Sequence, residues 1–199
     1  SSPSTVSSLV RGRQVLPSAK PLMASGTAEE AVRPATEHDV PAITALAEAL
    51  RAELTPMRGG RIWAVREARR GRFDEACSAL LADPDACVVV GTIDEVVVGF
   101  GIAIVEQLSD GGRLGVVTEL FVDPEGRAIG VGEAMLGAMV AYCTDRGCVG
   151  VDAFALPGHR AAKNFFEESG FTARAIVMHH VLTPAGDAPA DAATGDAAP

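Results

Sequence analysis

From Leu120 to Ala134 the chain reads Leu-Phe-Val-Asp-Pro-Glu-Gly-Arg-Ala-Ile-Gly-Val-Gly-Glu-Ala, and no other stretch limits the fold as much. An apolar run stops at Asp123–Pro124, where proline cannot extend a ladder. Apolar residues then recur with a helical period, through Ala134, Met135, Met139, Val140 and Cys143. The order is strand, turn, helix. The first N–H groups of a helix have no partner inside it and carry the positive end of its dipole. Gly130 and Gly132 at that point let a ligand approach the backbone closely. Together these features make a cradle for a pyrophosphate. Two nucleotide patterns are excluded. A P-loop needs a wider glycine spacing than Gly126 to Gly130, and a following Lys. A dinucleotide fingerprint needs Gly or Ala where Met135 stands, after a shorter turn.

The flanking sequence changes period repeatedly. Glu30 to Pro34 is a short strand. Thr36 or Asp39 caps a helix with Pro41 in its first turn and Ile43, Leu46, Ala47 and Leu50 on one face. Pro56 and Gly59–Gly60 break it, and Trp63 to Leu81 is helical in two pieces around Gly71. Strands at Cys87–Gly91, Val96–Val105 and Val116–Val122, with close turns at Asp94–Glu95 and Gly111–Gly112, form an antiparallel meander. The helix from Gly130 to about Arg146 leads to a strand at Val149–Ala155, a helix at His159–Ser169 and a last strand at Ala173–Leu182. This order predicts an α/β (α+β) domain with a mixed, mainly antiparallel sheet of six to seven strands flanked by helices.

The ends have a different composition. Ser1 to Gly26 is rich in Ser, Pro and Ala. It carries Arg11, Arg13 and Lys20 without acids, as a transit peptide does, but no long apolar region. Met23-Ala24-Ser25 is a candidate start, which would place the first 22 residues upstream of it. Pro184 to Pro199 holds only Ala, Asp, Gly and Pro with one Thr, too little apolar area to offset ordering. The expected organisation is a disordered or extended segment 1–29, one domain 30–183 and a disordered tail 184–199.

Charge narrows the function. The formal charge is -9, and only Lys20 and Lys163 are lysines among 17 cations. Without a basic stripe, nucleic-acid binding is excluded, whereas a cationic small molecule or a Lys-bearing protein is favoured. No apolar run approaches the roughly 18 residues of a membrane span. Cys77, Cys87, Cys143 and Cys148 form no C-x-x-C pair and have no His at zinc-ligand spacing. They read as reduced, mostly buried thiols of a cytoplasmic protein. His179 and His180 point to opposite faces of a strand, so no metal site is expected there.

Val122-Asp-Pro-Glu-Gly-Arg-Ala-Ile-Gly-Val-Gly132 resembles the acyl-CoA-binding motif of the GNAT superfamily of N-acetyltransferases, a strand ending in V-x-P followed by [R/Q]-x-x-G-x-[G/A]. Downstream, Arg160-Ala-Ala-Lys-Asn-Phe-Phe-Glu-Glu-Ser-Gly-Phe171 resembles the family's A-x-x-F-Y-x-x-x-G-F helix. The resemblance covers roughly residues 31–182. It implies acetyl-CoA as cosubstrate, without a metal, in a gap between a bulged fourth strand and a splayed fifth. It assigns the pantetheine arm to the backbone of Leu120, Phe121 and Val122. The pyrophosphate falls to Arg127, Ala128, Ile129, Gly130, Val131 and Gly132, with Asn164 as a further CoA contact. The implied reaction is direct attack on the thioester by a primary amine, from a small molecule or a protein lysine, in a ternary complex. A homodimer is a further expectation of the resemblance, as is an acceptor site lined near Arg58, Gly59, Gly60, Arg61 and Trp63.

The reaction needs a base, an oxyanion stabiliser and a route for protonating the thiolate. Glu119 is the first candidate base, because alternation puts it on the face opposite Leu120 and Val122. Asp152 on the fifth strand is the second, and Glu106 at the end of the third strand is weaker. Phe166 stands where the family usually has Tyr, so the customary general acid is missing. The sole tyrosine, Tyr142, belongs to the preceding helix, and His159 opens the last one. The loss of Tyr leaves an alternative: a catalytically weak acyl-CoA-binding or sensing domain. Transfer of a longer acyl group also stays open.

Overall fold

The computed structural model describes residues 29–69, 71–127 and 130–182. The disorder expected for 1–29 and 184–199 concerns residues outside this set, Glu29 apart. The chain runs β1 (Glu30–Pro34), α1 (Val40–Leu54), α2 (Gly60–Arg66), α3 (Phe73–Ala82), β2 (Ala86–Ile93), β3 (Val96–Gln107), β4 (Arg113–Val122), α4 (Val131–Asp145), β5 (Val151–Ala153) and α5 (Arg160–Glu168). The strands form one sheet in sequence order. β1 to β4 are antiparallel and β4–β5 is parallel.

Alternation along the strands divides the interior in two. Phe100, Ile102, Val88, Val90 and Phe121 pack beneath α1, α2 and α3 with Ile43, Leu46, Trp63 and Cys77. Val89, Ala103 and Val117 pack beneath α4, which contributes Val131, Met135, Met139 and Cys143 at a spacing of four residues, with Phe165 and Phe166 of α5 alongside. This α4 stripe lies on glycines. A Cβ on Gly91 would come 2.2 Å from Val131 Cγ1, one on Gly99 2.9 Å from Met135 Cε, and one on Gly101 2.8 Å from Met139 Cε. Bare backbone in β2 and β3 therefore sets how closely α4 sits on the sheet, and with it the height of the α4 N-terminus.

The start of α1 is fixed to β1 by one carboxylate. Arg33 donates to both oxygens of Asp39 at 2.7 Å, and the Thr36 N–H and hydroxyl donate to Oδ2 at 2.8 Å. Asp39 is buried. Bonding to Arg33, and then to Thr36 N–H, outweighs burial and holds its carboxyl well below the usual carboxylate range. A depressed carboxylate stabilises the fold fully above its unfolded pKa, near 3.9, and loses that contribution as pH falls below it. Asp39→Ala should cost about 1–3 kcal/mol at pH 7. Urea melts at pH 7 and pH 3 should show the gap between variant and wild type shrinking in acid.

The sheet has five strands, not six to seven. Among the described residues, 173–182 join no strand, and Ile176, Val177, Met178, Val181 and Leu182 are exposed. The apolar and β-branched residues of this segment give it strand propensity, but a strand forms only against a neighbour's ladder. Here the Arg174 side chain, not a backbone ladder, ties the segment to β5 by donating to Asp152. His179 and His180 thus lie on exposed chain rather than on a strand. The four cysteines are free thiols, and burial pushes Cys77 and Cys143 up to about 11. No described helix is long and apolar enough to cross a membrane.

Candidate active site

β4 changes character at Thr118. Val117 faces Ala103 under α4, while Glu119 faces Ile102 under α1 and α3. Residues two apart share a face in a regular strand, so Thr118 is a surplus residue, a β-bulge, and it bends β4. β5 pairs with β4 only at Gly115, Val116 and Val117. Beyond Thr118 the two strands part, and a cleft of about 380 Å³ occupies the gap.

The walls of this cleft come from several elements, with Leu50, Glu53 and Leu54 of α1 and Trp63 of α2 on one side. β4 supplies Thr118 to Val122, the segment after β5 supplies Phe154 to Leu156, and α5 supplies Ala161, Ala162, Phe165 and Phe166. A further wall is the turn into α4, with Gly126, Arg127, Gly130 and Gly132. Gly130 caps α4 with φ 87°, a left-handed conformation that favours glycine. The first bond of the helical ladder runs from Ala134 N–H to the Gly130 carbonyl at 3.0 Å. The N–H groups of Val131, Gly132 and Glu133 precede it and have no place in the ladder. A side chain at Gly132 would lie between Val122 and Phe165, in the cleft.

A second, larger cavity of about 1110 Å³ lies between α1 and the segment joining α2 to α3. Leu50, Trp63 and Glu119 line both cavities. Glu119 is 8% exposed. Its Oε2 accepts from Arg69 Nη2 at 3.2 Å and closely from the Thr118 hydroxyl, and Arg69 Nη2 also reaches Thr118 Oγ1 at 2.9 Å. Arg69 Nε lies 3.0 Å from Oε1 but off the N–H direction, so charge rather than a hydrogen bond holds that contact.

Several expected site residues meet here. Glu119, Leu120, Phe121, Val122, Arg127, Gly130 and Gly132 line the smaller cleft. Val131 turns its side chain into the core against Gly91, leaving only its backbone exposed to a ligand at the start of α4. Ala128 and Ile129 lie outside the described residues. Asn164 is exposed and lines neither cavity. Asp152, on the face opposite α4, is tied to Arg174 and lines neither cavity. Glu106 sits at the exposed end of β3, and the Tyr142 hydroxyl donates to the Pro84 carbonyl at 2.7 Å. Of the residues expected in a loop near the acceptor, Gly60, Arg61 and Trp63 instead belong to α2; Trp63 lines both cavities, and Arg58, Gly59, Gly60 and Arg61 line neither. Phe166 lies in the cleft wall, packed between Phe165 and Phe171 with ring centroids 5.4 and 5.5 Å away, and puts no hydroxyl there.

Two residues of the site carry no signal in the sequence beyond their charge. Arg69 lies in irregular chain between α2 and α3, 50 residues before its partner Glu119. Glu53 lies at the end of α1, 74 residues before Arg127. The hints are the cationic run Arg69-Arg70-Gly71-Arg72, and an acid beside a glycine-broken loop.

Comparisons with known proteins agree with this architecture. The model of the acetyltransferase (GNAT) family matches residues 45–171. Among curated proteins no sequence matches. The BH1408 protein of Bacillus halodurans, solved as a tetramutant, is 18% identical with a TM-score of 0.65, over 76% of this chain and 99% of its own. An aminoglycoside acetyltransferase from an uncultured soil metagenomic sample is 20% identical with a TM-score of 0.59, over 78% and 96%. An aminoglycoside N-acetyltransferase solved with CoA is 17% identical with a TM-score of 0.62, over 81% and 99%. At these identities the structures speak for the fold alone. The family match runs from within α1, through the cleft and the start of α4, to Phe171 just past α5, more than half of the 199 residues. On that span, the chain belongs to the GNAT acetyltransferase family.

Proposed function

We propose that this protein transfers an acetyl group from acetyl-CoA to a primary amine of a small molecule or a protein lysine, with donor and acceptor bound together. One observation carries the reading: Glu119 stands in the shared wall of the two cavities. Each substrate then has its own chamber, and a carboxylate lies where they meet.

The smaller cleft suits the donor. Its floor of Phe121, Phe154, Phe165 and Phe166 is apolar, as a pantetheine arm requires, and its far end carries the N–H groups at the start of α4 for a diphosphate. The Phe121 main chain points to β3, so on the strand edge that β5 leaves unpaired it is Val122 that faces the arm and the thioester carbonyl, its N–H open and its carbonyl held by Arg127 Nε at 2.9 Å. The larger cavity suits a cationic acceptor. Glu37, Glu48, Asp74, Glu75 and Glu119 line it against Arg51, Arg69 and Arg72, an excess of negative charge.

In this reading Glu119 takes a proton from the bound ammonium, directly or through water, so that the amine attacks the thioester carbon and the thiolate leaves. Arg69 and Thr118 hold the carboxylate in place. Thiols ionise near pH 8.5, so departure of the thiolate does not require the hydroxyl that Phe166 lacks. That same residue favours a second reading, an acyl-CoA-binding domain that has lost turnover.

One experiment separates the two. Calorimetric titration with acetyl-CoA and CoA, followed by thiol release with a panel of amines, should give binding and amine-dependent release. Binding without release across the panel supports the sensing domain. Absence of binding overturns both.

A further inference from the structure

The donor cleft contains a carboxylate that a polyanionic ligand should not welcome. Glu53, at the C-terminal end of α1, points into it and accepts from Arg127 Nη2 at 2.6 Å. Arg127 reaches back across the cleft. Its Nε donates to the Val122 carbonyl at 2.9 Å, and its guanidinium carbon lies 5.3 Å from the centre of the Phe121 ring. From the opposite wall, His159 at the start of α5 brings Nε2 to 3.8 Å from the other Glu53 oxygen. Glu53, Arg127 and His159 come from three elements that otherwise form separate walls. Their side chains are 26%, 43% and 22% exposed, so the bridge is solvated enough to open.

We propose that Glu53 competes internally with the donor's diphosphate: it holds Arg127 across the cleft when no donor is bound, and the diphosphate replaces it as the partner of that guanidinium. The exchange frees two groups at once, the Arg127 cation and the Val122 carbonyl. The inference rests on the reading of this cleft as an acyl-CoA site. Arg accepts carboxylate and phosphate in the same forked geometry, so the exchange needs no new cation. Glu53 then sets donor affinity and favours donors carrying a diphosphate over truncated thioesters.

The test is a double-variant cycle read by calorimetric affinity. Glu53→Gln should bind CoA about three- to tenfold more tightly than wild type, the scale of one half-exposed ion pair. In an Arg127→Gln background the same substitution should change affinity by less than about twofold, because the guanidinium that Glu53 withholds is gone. Acetylpantetheine, which lacks the diphosphate, should show no gain with Glu53→Gln. An equal gain in both backgrounds overturns the proposal in favour of a general charge effect. Unchanged or weaker CoA binding by Glu53→Gln, with wild type binding normally, overturns it alone. If neither protein binds CoA, the acyl-CoA reading falls and takes this inference with it.

Discussion

Glu119→Gln should lower turnover by about 10²–10⁴-fold, the usual contribution of a positioned general base, while leaving CoA affinity within about twofold of wild type. The amide cannot take a proton from an ammonium, but its oxygen still accepts from Arg69 and the Thr118 hydroxyl. The fold should therefore survive, which thermal melts of the variant check directly. Glu119 is nearly buried and beside a guanidinium, so removal of the whole side chain is a poorer experiment. It would leave Arg69 without its carboxylate, and lost activity could then reflect lost structure. The split between donor affinity and turnover distinguishes chemistry from packing. Turnover unchanged in Glu119→Gln removes this residue from the base role, and the ammonium then loses its proton to another group or to solvent before it binds.

Gly99→Val should cost about 2–4 kcal/mol and lower the melting temperature by several degrees. Its Cβ would lie 2.8 Å from the Phe121 carbonyl oxygen and 2.9 Å from Met135 Cε, both under 3.0 Å. Met135 is flexible at its end, but the Phe121 oxygen is backbone and cannot move without bending β4. The rise of α4 off the sheet would also displace the cradle at its N-terminus, so CoA affinity should fall with stability. Gly137 supplies the control. It lies in the same helix on the exposed face, and a Cβ added there would meet nothing within 4 Å. Gly137→Ala should stabilise by about 0.5–1 kcal/mol, the helix preference for alanine. Opposite signs from two glycines, read by urea melts, would attribute the Gly99 effect to close packing.

The elements most legible in the sequence are those whose causes are local. The β2–β3–β4 meander and α4 follow from periodicity and turn residues within a few positions. Even Asp94 and Glu95, which adopt φ 47° and 66°, stand out in the sequence as the turn between β2 and β3. The face of Glu119 is legible only from one direction. Counting back from Val122 puts it beside Phe121, away from α4, whereas counting forward from Val117 puts it on the wrong side of the sheet. The bulge comes from family resemblance, not from the residues themselves. Contacts between distant segments are not legible: no local pattern joins Arg69 to Glu119 or Glu53 to Arg127. The expected strand at 173–182 fails for a related reason. Alternation shows which residues a strand would bury, but not whether a neighbouring backbone is there to receive it.

The surplus residue in β4 has a consequence for how this protein can vary. Thr118 adds length without changing the face of any other residue. Without it, Val117 and Glu119 would be adjacent and would keep the faces they now occupy, opposite Ala103 and Ile102. Both halves of the interior would still be filled, and nothing in the hydrophobic pattern would register the loss. What would go is the bend that parts β4 from β5. The opening for a ligand is therefore encoded by residue count rather than by residue identity. A shortened chain would keep both apolar faces and lose the opening, and the interior would register the change only through the Thr118 hydroxyl that bonds the Glu119 carboxylate.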